Sequence, residues 1–173
     1  MFRRKTKIEL MCRQTGNWAV TDFDKQDLFT VRTTSFRTVY PITVRHHPKR
    51  TSTRFQCWLP VNFPLDNPPS GLFGRLLLRS WDLGWSAWNI NIGHSCVATA
   101  CVTALVPNMA LDATLFDEIC REQTGEVSAF HQELRDKFNY AGQAGSGYVD
   151  AEVRQGGPVV PMLRPGGLPR RYP

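Results

Sequence analysis

The side chains that could support covalent or metal chemistry in this sequence are five cysteines and four histidines. They are Cys12, Cys57, Cys96, Cys101, Cys120, His46, His47, His94 and His131. A cysteine nucleophile needs a thiolate beside a base, and zinc sites use closely spaced pairs of Cys or His ligands. Two histidines are adjacent, but the chain contains neither a CxxC nor an HxxxH pair.

The surroundings of the thiols argue against both kinds of site. Every cysteine after Cys12 lies in an apolar segment, where burial disfavours the reactive thiolate. Cys96 and Cys101 are five residues apart on a predicted strand, so their side chains point to opposite faces. The sequence therefore predicts no metal, no cofactor and no enzyme. A cysteine nucleophile with His94 or His131 as its base is the enzymatic alternative left open.

Motifs for nucleotide or hydrolytic chemistry are missing from the sequence. It has no Walker loop, GxGxxG fingerprint, HExxH or GxSxG. Gly71 and Gly74 open a predicted helix, and two glycines at this spacing indicate close packing more often than phosphate binding. The carboxylates of the last predicted helix are expected on its solvated side and not as an acid–base pair; they are Asp117, Glu118, Glu122 and Glu126.

The net charge of +6 is unevenly distributed along the chain. Residues 1–54 carry 12 Lys or Arg against 4 Asp or Glu, whereas residues 55–140 carry 5 against 9. Basic side chains in this first third could follow phosphates, namely Arg3, Arg4, Lys5, Lys7, Arg45, Lys49, Arg50 and Arg54. A solvated basic surface is the favoured interpretation, and nucleic-acid association is the alternative function.

Aromatic residues concentrate between residues 55 and 92, which contain four of the five tryptophans. Tryptophans in partly polar surroundings are common at protein interfaces. We therefore predict a surface that binds a peptide or a partner protein, with contact residues Phe55, Trp58, Trp85 and Trp88.

Alternation of apolar and polar residues predicts an antiparallel meander of strands. In residues 54–61 the apolar face holds Phe55, Cys57, Leu59 and Val61, opposite Trp58. Prolines at positions 60, 64, 68 and 69 are expected to prevent further ladder pairing. The other strands are predicted over residues 29–34, 39–46, 85–92 and 96–106, with a brief one at 18–20 before a polar turn.

Helical spacing predicts three helices. A short one lies within residues 3–17, and a second over residues 70–83 is capped by Asn67 or Ser70, with Leu72, Phe73, Leu76, Leu77 and Leu83 at helical spacing. The last, over residues 111–140, is capped by Asp112 and kinked or interrupted at Gly125. In the strand over residues 85–92, Trp88, Ile90 and Ile92 are expected to point inward.

The length and composition predict one α+β domain with a loose tail. A twisted antiparallel sheet of about five strands, with helices packed mainly on one face, accounts for residues 1–140. Residues 141–173 hold 7 Gly and 5 Pro, which predicts a flexible basic tail. No apolar run is long enough for a membrane span and no secretory signal is predicted, so the expected location is the cytoplasm, with reduced thiols.

The order of predicted elements is helix, about three strands, helix, two strands, helix. It resembles the small α+β fold of type III secretion chaperones and the related YbjN-type domain. The likeness is carried by the strand FQCWLPV, the helix SGLFGRLLLRSW, the strands SAWNINI and CVATACVTALVP, and the closing LDATLFDEICREQTGEVSAFHQELRDKF. Residues 111–116, LDATLF, match the Leu-Asp-x-x-x-Phe start of the final helix in such domains.

The resemblance covers residues 5–140 and implies a non-enzymatic, chaperone-like protein that binds a polypeptide, acting as a homodimer. It supplies no catalytic residues. Secretion chaperones tend to be acidic, whereas this chain is basic and has an added Gly/Pro tail. It therefore implies protein binding in general and leaves the client unidentified.

Overall fold

The computed structural model describes residues 6–24, 27–34, 40–65, 68–92, 97–138 and 143–144. The elements in chain order are α1 (Lys7–Thr15), β1 (Trp18–Asp24), β2 (Leu28–Thr33), β3 (Ile42–Arg45), β4 (Ser52–Pro64), α2 (Leu72–Ser80), β5 (Ala87–Ile92), β6 (Val97–Pro107), α3 (Ala113–Phe138) and β7 (Gln143–Ala144).

The strands form one antiparallel sheet in the order β1-β2-β3-β4-β6-β5, and the two residues of β7 pair with β4 beside this series. The α+β class and the antiparallel sheet are confirmed, with six strands in the main order instead of about five. One strand is longer than expected because residues predicted as a polar turn continue β1 as far as Asp24, which pairs with Leu28.

The core lies between the helices and one face of the sheet. Side chains from all three helices meet those of the strands in a single apolar cluster that includes Ile8 of α1, Leu76 of α2 and Phe116 of α3. On α3 the buried apolar positions recur at helical spacing, as the sequence predicts, at residues 116, 119, 120, 127, 130 and 134. All three helices lie on one face of the sheet, and no described helix covers the opposite face.

The central strand β4 continues past the prolines that were expected to end its pairing. It runs to Pro64, which lies opposite Val97 of β6. The register with β6 shifts between Trp58 and Asn62, so Pro60 lies in a bulge. A bulge leaves residues out of the ladder, and a proline there loses no hydrogen bond. The predicted end of the strand at Val61 is therefore wrong, and β4 ends at Pro64.

The helix ends follow local sequence in two of three cases. Thr6 and Glu9 form a capping box on α1, and Asp112 Oδ1 accepts a hydrogen bond of 2.8 Å from the Leu115 amide at the start of α3, which confirms the predicted cap. Before α2, however, the cap residue is Gly71, with φ of 74° and no side-chain hydrogen bond. Ser70 does not cap this helix, and Asn67 lies outside the described residues.

Helix α3 passes through Gly125 without interruption, so the predicted interruption is wrong, while a kink at this residue stays a prediction. Glycine costs about 1 kcal/mol in a helix interior relative to alanine. Buried neighbours on both sides, Gln123 and Val127, hold the helix against the sheet across this position. Packing therefore outweighs the local preference.

None of the helices in the described ranges is long and apolar enough to cross a membrane. The division into a domain of residues 1–140 and a tail of residues 141–173 stays a prediction, because only residues 143–144 of that tail belong to the described part of the chain.

Candidate binding surface

Helix α2 is attached to α3 through its charged side. The Arg79 guanidinium donates to Glu126 at 2.8 Å and to Glu133 at 2.7 Å, and all three side chains are largely buried. Arg75 adds a second hydrogen bond to Glu133, at 2.9 Å. This arginine–glutamate cluster, made of Arg75, Arg79, Glu126 and Glu133, fixes which side of α2 turns inward.

The cluster also includes aromatic contacts to the sheet. Trp88 of β5 donates its indole N–H to Glu126 at 2.7 Å, and the Arg79 guanidinium carbon lies 5.5 Å from the centre of the Phe130 ring. The Trp88 and Phe130 rings meet edge to face at 5.1 Å. Each buried charge thus has hydrogen-bonding partners, which a partly buried ion pair requires in order to stabilise a fold.

The ion pairs shift the pKa values of Arg79 and Glu133. The hydrogen bond to Glu126, with the charges of both glutamates, raises the pKa of Arg79 against the opposing effect of burial. Burial alone would raise the pKa of Glu133, but Arg75, Lys137 and Arg79 together hold that pKa below its usual value. Both shifts favour the charged forms, so Arg79 and Glu133 are ionised at neutral pH.

Acidification is expected to weaken the attachment of α2. Because the folded-state pKa of Glu133 is depressed, its contribution to stability is present above the unfolded pKa near 4.5 and is lost as the pH falls through the folded value. Urea unfolding between about pH 6 and pH 3 should show this loss, with a shallower fall in Glu133→Gln. Glu118→Gln, on the exposed side of the same helix, should retain the wild-type pH dependence; equal profiles for all three proteins would contradict the assignment.

The opposite side of α2 is apolar and faces solvent. Trp81 is 83% exposed and Leu78 is 63% exposed, and Leu77 is similarly open. Gly74 lies among them, and a β-carbon built there would meet nothing within 4 Å. We call Phe73, Leu77, Leu78 and Trp81 the outer face of α2. Single exposed leucines are ordinary, but a contiguous group of this size indicates an interaction site.

The connection from α2 to β5 is held by one carboxylate of α3. Glu122 accepts hydrogen bonds from the backbone amides of Gly84 at 2.7 Å and Trp85 at 3.1 Å. The prediction that the α3 carboxylates form a solvated side is wrong for Glu126, whose side chain is largely buried. Glu118 is exposed, whereas Glu122 is half-buried, and so is Asp117, which accepts from the Trp18 indole at 2.7 Å.

At the end of the sheet, β5 pairs only with β6 among the described strands. It contains no charged residue and no proline, the usual devices that protect an edge strand from pairing. The backbone amide of Trp88 donates to the Ser80 hydroxyl at 2.9 Å, so the edge lies directly beside α2. Ile90 and Ile92, predicted to point inward, are both exposed. Their side chains point to the same face of the sheet as Trp88, but the helices do not extend far enough along β5 to cover them.

The structure separates the four predicted contact residues. Phe55 is fully buried in the core, with its ring 5.8 Å from that of Phe116. Trp58 is 2% exposed and lies on the sheet face away from the helices. Trp88 is nearly buried by the cluster with Glu126. Trp85, half exposed beside the outer face of α2, is the one of the four with large accessible surface.

Comparisons with known proteins found no family model, no curated protein and no solved structure that matches this chain. The likeness to type III secretion chaperones and YbjN-type domains therefore stays a prediction. The binding surface must be argued from the chain's own residues.

The sequence contains a signal for the exposed leucines of α2 that the predicted contact residues did not include. Residues 76, 77 and 78 are three consecutive leucines, and a helix turns about 100° per residue. Three in a row cannot all reach one core, so Leu76 is buried while Leu77 and Leu78 are exposed. The run of three leucines therefore indicates that part of α2 exposes apolar side chains.

Where the structure describes them, the groups considered for catalysis have surroundings that disfavour reactivity. Burial raises the pKa of Cys12 to about 12, and it raises those of Cys57 and Cys120 as well. The His131 Nδ1 is hydrogen-bonded to the Tyr40 hydroxyl at 2.6 Å, and burial lowers the pKa of this histidine. His94 and Cys96 lie outside the described residues. Within the described ranges, no group of three or more His, Cys, Asp or Glu side chains could hold a metal ion.

The basic residues of the first third are spread over several elements. Arg45 and Arg54 face each other across β3 and β4, on the sheet face away from the helices. Lys7 of α1 donates instead to the backbone carbonyl of Asn108 at 2.9 Å. Arg3, Arg4 and Lys5 lie outside the described residues, and nucleic-acid association stays an untested alternative.

Proposed function

We propose that this protein is a non-enzymatic, chaperone-like module that binds an extended apolar segment of another polypeptide. The binding surface is the outer face of α2 together with the edge strand β5 and Trp85. The observation that carries the proposal is the adjacency of an exposed apolar helix face and a sheet edge, β5, that pairs with no second strand among the described residues.

The two parts of this surface suit one kind of ligand. A strand with a free edge binds an extended chain through backbone hydrogen bonds, which are independent of sequence. Exposed Ile90 and Ile92 alternate along that edge and select apolar side chains at every second position. The outer face of α2 then covers the bound segment from the side. Such a ligand is an apolar β-forming segment, as found in partly folded clients.

The observed element order supports a chaperone-like role. A helix precedes four strands, and a helix, two strands and a closing helix follow. This order agrees with the pattern that the resemblance to secretion chaperones implies, with one additional strand before α2. Buried thiols of raised pKa favour a protein that acts by binding, without a covalent thiol step.

Leu78→Gln is expected to weaken peptide binding by about ten-fold or more, because exposed anchors at the centre of an apolar surface contribute above about 1.4 kcal/mol each. The probe is a set of extended apolar 12-residue peptides selected from a random library, and affinity is measured by fluorescence anisotropy. Leu10→Gln is the matched control, since Leu10 is an exposed leucine on α1, away from this surface. Both variants should unfold at the wild-type urea concentration.

Hydrogen exchange distinguishes strand addition from other modes of binding. Because the Trp88 amide already donates to Ser80, the bound peptide should slow amide exchange at Ile90 and Ile92 and leave the exchange of β1, at the other end of the sheet, unchanged. Equal affinity of wild type and Leu78→Gln, or unchanged exchange in β5, would overturn the proposal. If the surface instead joins two copies, sedimentation will show a dimer that Leu78→Gln dissociates and that the peptide does not compete with.

A further inference from the structure

A cleft of about 330 Å³ lies where the first turn of α1 meets three connections of the sheet. These connections join β1 to β2, β3 to β4, and β6 to α3. The volume is near the lower end of the range of small-molecule sites. The residues that line the cleft include Lys7, Asp27, Phe29, His46, Pro48 and Asn108. None of these belongs to the outer face of α2 or to β5.

His46 is 5% exposed, and the hydrogen bonds around it fix its neutral tautomer. The Asn108 amide nitrogen donates to the Arg50 carbonyl at 2.7 Å, so Asn108 Oδ1 is the atom that accepts from the Thr53 hydroxyl, at 2.6 Å. Thr53 Oγ1 therefore accepts from His46 Nδ1, at 2.7 Å. Burial lowers the pKa of His46, so the ring is neutral at neutral pH and Nε2 carries a lone pair. No described residue donates to Nε2. Because buried polar atoms are usually hydrogen-bonded, this nitrogen indicates a ligand that donates.

Two opposite charges line the same cleft without pairing with each other. The Asp27 carbonyl accepts from the His46 amide at 2.9 Å, and the Asp27 carboxylate lies 3.4 Å from His47 Nε2. Lys7 Nζ donates to the Asn108 carbonyl at 2.9 Å and forms no ion pair with Asp27. The charges of Lys7 and Asp27 shift the pKa of His46 in opposite directions, so both groups lie near the ring. The cleft therefore holds a cation and an anion on either side of a neutral imidazole.

These polar groups suit a ligand that itself carries both charges. An ammonium group has three N–H donors, which match the two acceptors in the cleft, His46 Nε2 and the Asp27 carboxylate. A carboxylate accepts charge-assisted hydrogen bonds from the Lys7 ammonium. Phe29 and Pro48 supply apolar walls against which a hydrocarbon side chain can pack. A simple anion would be repelled by Asp27, and a simple cation by Lys7.

We propose that this cleft binds a free amino acid with an apolar side chain. The ligand ammonium donates to His46 Nε2 and to the Asp27 carboxylate, the ligand carboxylate accepts from Lys7, and the side chain packs on Phe29 and Pro48. The ligand thereby joins α1 to three connections of the sheet, so that binding stabilises the folded state. This site is separate from the outer face of α2 and does not depend on the proposed function.

The first test is isothermal titration calorimetry of the full chain with free leucine and free phenylalanine. Two analogues of leucine each lack one charge: isocaproate has no ammonium group, and isoamylamine has no carboxylate. Leucine or phenylalanine should bind with a dissociation constant in the millimolar range or below. Each analogue should bind at least about ten-fold more weakly than leucine, because hydrogen bonds between charged groups are lost.

Two substitutions test the same charges from the side of the protein. Lys7→Met keeps the aliphatic chain, and Asp27→Asn keeps a residue type that tolerates the positive φ of 59° at this position. Each should weaken binding of the amino acid by about ten-fold or more. Lys49→Met is the matched control, since Lys49 is an exposed lysine between β3 and β4 that does not line the cleft. In long-range proton–nitrogen NMR spectra, saturating ligand should shift the Nε2 resonance of His46 and leave the ring resonances of His131 in place.

Each other outcome contradicts the proposal. Absence of binding by both amino acids at millimolar concentration removes the site. If isocaproate binds as tightly as leucine, the cleft is an anion site, and if isoamylamine does so, it is a cation site. An equal loss in Lys7→Met and Lys49→Met shows a general effect of net charge. The leucine analogues are tested on the unaltered protein, so the result does not depend on how well the variants fold.

Discussion

Arg79→Ala is expected to lower the free energy of unfolding by about 2–4 kcal/mol, far more than a surface ion pair contributes. The substitution leaves Glu126 and Glu133 close together and largely buried without their common cation. It also removes the guanidinium from the Phe130 ring. Urea unfolding followed by far-UV circular dichroism measures the loss, and α2 is the element expected to detach first.

Arg121→Ala is the matched control for this prediction. Arg121 also pairs with a carboxylate of α3, Asp117 at 2.7 Å, but its side chain is 62% exposed. Exposed pairs of this kind contribute about 0.3–0.5 kcal/mol. If both alanine variants lose the same amount, burial of the Arg79 cluster does not determine its strength, and the account of how α2 is oriented fails.

Orientation of α2 links this cluster to binding. Leu72 and Leu76 face the core beside the two arginines, and a second apolar side faces outward, where the usual surface helix is polar. Two turns of helix with Leu72 and Leu76 in the core would otherwise be free to rotate toward burying Leu77. The ionic contacts to α3 therefore keep the outer face exposed. Loss of Arg79 should consequently reduce peptide affinity as well as stability.

Short-range patterns explain why much of the fold could be predicted. The alternation of Phe55 and Cys57, the capping residue Asp112 and the helical spacing of α3 all act within a few residues. Each is set by backbone geometry and by the need to bury one face. The α+β class and the order of helices and strands followed from such patterns.

Contacts between distant residues explain what could not be predicted. Arg79 meets Glu126 and Glu133, 47 and 54 residues later in the chain, and no periodicity relates these positions. The α3 carboxylates consequently looked like a solvated face. Alternation places Phe55 on the apolar face of its strand, but it does not show whether that face packs against a helix of the same chain or against a partner. Tertiary packing decided which of the aromatic residues remain accessible.

Phe55→Ala is expected to lower the free energy of unfolding by about 3–5 kcal/mol, since its ring is fully enclosed and truncation leaves a cavity. The lost contacts include the edge-to-face pair with Phe116, which couples β4 to α3. Thermal and urea unfolding measure the change. A residue that contacts a partner would instead lose affinity with little change in stability, so this variant decides which role Phe55 has.

Phe73→Ala makes the same chemical change on the outer face of α2, where the ring is partly exposed and alanine favours the helix. We expect a loss of about 1 kcal/mol or less, with weaker binding of the selected peptides. The two variants therefore have opposite signatures: Phe55→Ala reduces stability, and Phe73→Ala reduces affinity. A stable Phe55→Ala protein with impaired binding would place the ring in the binding surface and would contradict the packing of β4 against α3.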